Sequence, residues 1–215
     1  MGYPEKRREV LEQTMRDEVF RVAVTVLSQE GFEALTVERI AREVGVSRGT
    51  LYNYFSDATA VIAFVEGRLF EPVRDQVEGI AVSDRGPEAK LTLILHCLLD
   101  ALYESRALAL AIFARRELQG LRAEQHIQMR NHLLAAFRGV LQEGAARGVF
   151  RHAPAEPAAE LLVSAIAGIA TSMLYAGDFR PADQMVPGLM DVLLYGLTPK
   201  GGVDWAVREW PGCNP

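Results

Sequence analysis

The sequence predicts an all-α protein in which an N-terminal three-helix helix-turn-helix unit precedes a larger helical body. Apolar residues recur three and four positions apart along the chain, and no alternating strand pattern of useful length occurs. The stretch TVERIAREVGVSRGTLYNYF, Thr36 to Phe55, has the form of two short helices joined by a tight turn. Beyond it come long apolar-periodic stretches, punctuated by Gly and Pro, that suit a bundle of longer helices.

The first helix is expected from about Glu9 to Glu30, with Val19, Phe20, Ala23, Val26 and Leu27 as its inward stripe and Gly31 as its stop. Phe32 and Leu35 tuck beneath it. Thr36 then caps the second helix. A capping box would place Glu or Gln three residues later, where Arg39 stands, so Thr36 caps alone. Ile40, Ala41 and Val44 share one face of this helix, and the small Ala41 lets the next helix cross closely. Gly45 suits the left-handed conformation of the turn, and Val46 plugs it. Ser47 caps the third helix, whose inward pair is Leu51 and Phe55 at i, i+4. A long helix follows from about Ala58 to Ala81. Pro72 inside it removes one ladder bond and crowds the preceding turn, so a kink or break is expected near Glu71.

Ser83 to Pro87 reads as a loop. Further helices are expected at about Glu88 to Glu104, Arg106 to Gln119, Glu124 to Arg147, Glu156 to Ala176 and Asp183 to Leu197. Gly148 ends the third of these, and Pro154 and Pro157 punctuate the start of the next. The tail from Thr198 to Pro215 is rich in Gly and Pro. Trp205 and Trp210 either dock it or leave it mobile. The chain thus divides into residues 1–57, 58–197 and 198–215.

Composition bounds the function. With 49% of its 215 residues apolar, the chain has material for a substantial core. No run of about 18 or more apolar residues occurs, so no membrane span is expected. The N-terminus MGYPEKRREV lacks the apolar core of a signal peptide. The only cysteines, Cys97 and Cys213, lie far apart, which fits a reducing cytoplasm. The net charge is −5, and up to Asp57 eight Lys and Arg face ten Asp and Glu. DNA affinity depends on where cations sit, because each neutralised phosphate releases counterions locally. Lys6, Arg7 and Arg8 cluster at the N-terminus, while Arg39, Arg42 and Arg48 flank the two short helices. Binding should therefore be salt-sensitive and selective.

The outward face of the third helix carries Arg48, Gly49, Thr50, Tyr52, Asn53 and Tyr54. An αα-hairpin that only packs has no need of two tyrosines, an arginine and an asparagine there. A helix entering a DNA major groove does. Arg48 can fork to guanine O6 and N7 or hold a phosphate. Gly49 allows close backbone approach. Thr50 can meet a thymine methyl or a phosphate. Tyr52 and Tyr54 can place hydroxyls on phosphates, Tyr52 can also touch a base, and Asn53 can read adenine. Thr36, with the N–H groups of its helix start, forms an anion site, and Ser47 belongs to the same surface.

On these residues, Thr36 to Asp57 with the preceding QEGFEAL, the chain resembles the TetR family of bacterial transcriptional regulators. Weaker resemblance covers Gly148 to Leu174 and Met190 to Leu197. The resemblance implies an all-helical, cytoplasmic homodimer, paired through its last two long helices, that acts as a repressor released by a small ligand. The family usually has a phosphate-contacting lysine at the start of the connecting helix, where this chain has Ala58. That departure and the acidic N-terminal unit motivate an alternative: a helical ligand- or partner-binding dimer with weakened or lost DNA binding.

In the body, Leu69, Leu99, Tyr103, Phe113, Met129, Leu133, Ile169 and Met173 either line a cavity for a small, mainly apolar effector or fill a core. Arg116 and Gln119, with Tyr103, are polar groups near these stripes. The histidines suggest no metal site: His126 and His132 are six apart and no His-x3-His or Cys-x2-Cys pair occurs. His96 and Asp100 read as a surface pair. No phosphate loop, catalytic triad motif or cofactor motif is present, so neither enzyme activity nor a cofactor is expected. Ala165, Gly168, Ala170, Ser172, Gly188 and Gly196, with Leu189, Leu193, Leu194 and Leu197, suit a close-packed helix interface. A two-fold dimer would demand a roughly palindromic operator in double-stranded DNA.

Overall fold

The computed structural model describes residues 3–113, 123–150 and 154–195. Its order is α1 (Tyr3–Glu30), a single 3-10 turn (Phe32–Ala34), α2 (Val37–Val44), α3 (Arg48–Tyr52), α4 (Ala58–Ala81), α5 (Pro87–Glu104), α6 (Arg106–Phe113), α7 (Ala123–Ala146), α8 (Ala155–Ala176) and α9 (Ala182–Tyr195). No strand occurs among the described residues. Arg116, Gln119 and the tail with Trp205 and Trp210 lie outside them.

One expected element bound changes, and α4 keeps its expected bounds without a break. α1 begins at Tyr3 rather than near Glu9, because Pro4 in a first helical turn surrenders an N–H that has no partner there anyway. α4 runs unbroken through Pro72, so no break occurs near Glu71. Pro72 is exposed, so the ladder bond it removes is lost beside a surface position rather than beneath one of the cores. On either side of it the buried Val65 and Val77 anchor the helix.

The helices close around two cores. The first joins Val19, Val22, Ala23, Val26 and Leu27 of α1 to Leu35, to Val37, Ile40 and Ala41 of α2, and to Leu51 and Phe55. Val61, Ile62 and Val65 of α4 and Leu108 of α6 complete it. The second joins Val77 of α4 to Leu91, Ile94, Leu95 and Leu99 of α5, to Leu133, Leu134, Phe137 and Val140 of α7, and to α8 and α9. α4 is thus the one helix of the N-terminal half that enters both. α7 packs most heavily against α8 and α4, and α9 against α5.

One ion pair is sunk in the body. Lys90 of α5 is 4% exposed, and its Nζ donates to Glu143 Oε2 of α7 at 2.6 Å. Arg147 donates to the other oxygen at 2.8 Å. Hydrogen bonding from Lys90, then from Arg147, holds the Glu143 carboxyl below its ordinary range. The pair fixes the register of α5 on α7, since a buried ammonium is tolerated only with its partner in place.

Phe137 is fully buried at the centre of the second core. Phe137→Ala should therefore lower stability by about 3–5 kcal/mol in urea unfolding, the cost of the lost burial plus the cavity left behind.

Candidate nucleic-acid interface

The seat of the N-terminal unit is made by local hydrogen bonds of the expected kind. Thr36 Oγ1 accepts from the Arg39 N–H at 3.1 Å and caps α2. Gly45 ends α2 at φ 78, ψ 26, and both its N–H and that of Val46 return to the Ala41 carbonyl. Ser47 Oγ accepts from the Thr50 N–H at 3.0 Å and lies 2.8 Å from Thr50 Oγ1. Leu51 and Phe55 are buried at 0% and 4% exposure. Asp57 then caps α4 through the Ala60 N–H at 2.9 Å.

With those inward anchors set, Arg48, Gly49, Tyr52, Asn53 and Tyr54 are exposed, while Thr50 is half-buried. The hydroxyl of Thr50 is engaged with Ser47, so its methyl is the part left for an incoming surface. Between α2 and α3 lies a concavity of about 500 Å³ lined by Thr36, Glu38, Arg39, Ala41, Arg42, Val46 and Arg48.

The cations there are not equivalent. The Arg39 guanidinium donates to both oxygens of Glu30, at 2.7 and 2.5 Å, and to Glu43 at 2.8 Å. These bonds pull the Glu30 carboxyl down and push the already high Arg39 value higher. Arg39 is therefore held by the protein's own carboxylates rather than offered to phosphate. Arg42 and Arg48 line the same concavity. The side chains of Lys6, Arg7 and Arg8 lie outside the described residues.

Two groups escaped the sequence reading. Arg16 of α1 places its guanidinium 5.8 Å from the rings of both Tyr54 and Phe64, which brings a cation from α1 beside the end of α3. Glu38 of α2 accepts the Tyr52 hydroxyl proton at 2.9 Å. Its own backbone N–H and then Tyr52 hold the Glu38 carboxyl below its usual range, and the same bond raises the Tyr52 phenol. The phenol-to-carboxylate bond is therefore present at neutral pH and is lost as pH falls through the depressed carboxyl value or rises through the raised phenol value. Neither contact was visible as a motif, because each joins residues on different helices.

The candidate effector residues separate. Leu99 and Leu133 lie in the second core, with Met129 and Ile169 packed on it. Leu69 packs on the first core instead, so it is not brought to them. Met173 is buried in α8. Tyr103 is half-buried, with the Arg106 guanidinium 4.6 Å from its ring. Phe113 ends α6, and its side chain, like Arg116, lies outside the described residues. Among the described residues no group of three or more metal-binding side chains assembles. His96 faces Asp100 and Asp183 at 3.9 and 3.7 Å, while His132 bonds the Arg74 carbonyl at 3.1 Å.

A capped reading helix on a three-helix seat, carried by a larger helical body, defines a helix-turn-helix regulator. The description of bacterial regulatory proteins of the tetR family matches residues 19–63, and that of tetracyclin repressor-like C-terminal domains matches residues 84–183. The chain belongs to the TetR family of transcriptional regulators. The HTH-type transcriptional regulator PksA of Bacillus subtilis (strain 168) is 32% identical over 95 residues, 44% of this chain and 42% of that protein. The HTH-type transcriptional repressor KstR2 of Mycolicibacterium smegmatis is 27% identical over 139 residues, 63% of this chain and 67% of that protein. The match thus spans under half the length of PksA and about two-thirds of KstR2.

Among solved structures, a TetR transcription regulator from Haloarcula marismortui shares the fold with a TM-score of 0.71 at 22% identity, over 85% of this chain and 97% of that one. FadR from Bacillus subtilis, solved in complex with stearoyl-CoA, does so with a TM-score of 0.66 at 19% identity, over 84% and 98%.

Gly45 has no neighbouring atom within 4 Å of where a Cβ would stand, yet its φ is +78. Gly45→Ala should cost about 1–2 kcal/mol through backbone strain alone, seen as a lowered midpoint in thermal unfolding.

Proposed function

We propose that the protein is a homodimeric repressor that places α3 of each subunit in a major groove of a roughly palindromic operator and is released by a small, mainly apolar effector. The observation that carries this is the seating of α3. Leu51 and Phe55 are buried while the opposite side presents Arg48, Gly49, Tyr52, Asn53 and Tyr54 to the outside. In this reading Arg48 forks to guanine or grips phosphate, Asn53 reads adenine, Tyr54 and Thr36 donate to phosphate, and the Thr50 methyl faces a thymine. Arg16 supplies the cation that Ala58 does not.

Dimerisation is supported by α8. Leu161, Ala165, Gly168, Ser172 and Tyr175 recur at heptad spacing and all are exposed, Leu161 at 66% and Tyr175 at 71%. This 22-residue helix has a mean hydropathy of 1.6 over an 18-residue window only 22% buried, which meets the length and composition of a membrane span. In a regulator of this fold, we assign that face to the same face of a second copy, with the exposed Gly188, Val192 and Leu193 of α9 extending it. The effector would sit in the second core, among Leu99, Met129, Leu133 and Ile169. The bound ligand of the FadR structure makes stearoyl-CoA the first compound to try.

A fluorescence-anisotropy titration against DNA flanking the gene tests the central reading. Specific binding should weaken with salt by roughly 0.9 log units per log salt for each phosphate contacted. Arg48→Ala should cost about 1–3 kcal/mol with relaxed preference at one base per half-site if Arg48 reads guanine. Binding with no sequence preference at any salt would remove the proposal.

Gly49→Ala should hold or raise the unfolding midpoint, since the nearest atom to its Cβ site is Ser47 Oγ at 3.9 Å and Ala suits a helix better than Gly, while lowering DNA affinity in the same titration. For the dimer, the double variant Leu161→Arg, Tyr175→Arg should run as a folded monomer in size-exclusion chromatography with light scattering. A dimer mass retained by that variant would place the interface elsewhere.

A further inference from the structure

A tyrosine hydroxyl has one proton to donate, and its oxygen keeps lone pairs that accept. Tyr52 of α3 gives that proton to Glu38 Oε1 of α2. Glu38 is half-buried and Tyr52 is 47% exposed, so the bond lies at the open side of both helices. An ionised carboxylate accepts hydrogen bonds and donates none. While the bond holds, the pair offers an incoming molecule acceptors only. A DNA phosphate also offers only acceptors, together with a negative charge, so it finds no partner here. In the major groove the donors that base pairs present are the cytosine N4 and adenine N6 amino groups.

We propose that Glu38 and Tyr52 together form a base-reading site for one exocyclic amino group, cytosine N4 or adenine N6, in each half-site. Glu38 acts as the positioning residue: by holding the Tyr52 proton, it turns Tyr52 from a phosphate donor into an acceptor. The depressed Glu38 carboxyl and raised Tyr52 phenol keep this arrangement throughout the neutral range. Arg48 lies near enough to act electrostatically on both groups, so a cation balances the carboxylate within the reading surface. The inference rests on the proposal that α3 enters a major groove, and it adds a preference at a base that Arg48 and Asn53 do not read.

Selection from random-sequence duplex DNA with the full-length protein, followed by sequencing and titration of the enriched duplex, tests it. Wild type should enrich cytosine or adenine at one position of each half-site, and the base enriched identifies the source of the amino group. Tyr52→Phe should lose about tenfold of discrimination at that position and keep its other preferences. Glu38→Ala, which frees the Tyr52 proton for phosphate, should lose the same discrimination, so that its affinities for duplexes differing only at that base converge.

Replacing the selected base by its analogue lacking the amino group, purine for adenine or 2-pyrimidinone for cytosine, should weaken wild type. The same replacement should weaken Tyr52→Phe less than wild type, since only the Glu38 carboxylate is left to accept. Circular dichroism of both variants checks that the helices persist. A uniform loss across all sequences in Tyr52→Phe would make Tyr52 a phosphate contact and overturn the site. An amino-group replacement that weakens wild type and Tyr52→Phe equally would also overturn it. If wild type enriches no sequence at all, the DNA-reading function fails, not this site alone.

Discussion

A five-residue helix does not hold itself up: nucleating its first turn costs more than the few hydrogen bonds it makes return. α3 exists because Leu51 and Phe55 are buried against α1, α2 and α4, and because Ser47 and the Leu51 carbonyl satisfy the backbone groups at its ends. The whole outward face follows from that constraint. With Leu51 in the first core, Tyr52 and Asn53, one and two positions on, turn away from it, and Arg48 at the first turn is exposed as well. The rigidity of the reading surface is thus borrowed from the core beneath it, through Val61, Ile62 and Val65 of α4 and the stripe of α1.

Charge works against the same surface, and the structure shows how the conflict is limited. The N-terminal unit is acidic by count, and several cations in and beside it are paired with its own carboxylates: Arg39 with Glu30 and Glu43, Arg68 with Asp17, Arg21 with Glu18 and Arg16 with Glu12. At the start of α4, Asp57 is used as a helix cap beside Ala58, so that end carries a carboxylate and no neighbouring lysine. Among the described side chains of this unit, Arg42 and Arg48 line the concavity, and Arg16, 3.5 Å from Glu12, stands beside Tyr54. Such a surface gains little from indiscriminate phosphate attraction and much from correctly placed donors and acceptors.

The sequence made the fold legible wherever local chemistry decides the outcome. Gly45, Ser47 and Thr36 sit where the caps and the turn need them, and the 3- and 4-residue spacing of Val19, Ala23, Val26 and Leu27 marked a face that is buried in the structure. Legibility failed where the deciding partner lies elsewhere in the chain. Glu38 and Tyr52 are fourteen residues apart and meet only because α2 and α3 cross. Arg39 looked available until Glu30, nine residues back, closed on it. The Lys90–Glu143 pair spans fifty-three residues and carries no motif. At Pro72, where the sequence predicts a kink or break, the helix does not break: its local penalty is real, but the packing of α4 on both sides keeps the helix continuous.

That continuity gives α4 its place in the mechanism. Its first half is part of the seat of α2 and α3, through Val61, Ile62 and Val65; further along, Val77 belongs to the body. A second bridge runs through α6, whose Leu108 is buried in the N-terminal core against α1. Packed cores transmit displacement because they do not compress. A rearrangement among Leu99, Leu133 and Phe137 that shifts α5 or α7 therefore reaches α4 and α6, and through them the ground on which α3 stands. In the proposed dimer, an effector that prefers one packing of the second core over another would change the separation of the two reading heads. With an operator of fixed helical spacing, a small change in that separation costs one half-site its contacts.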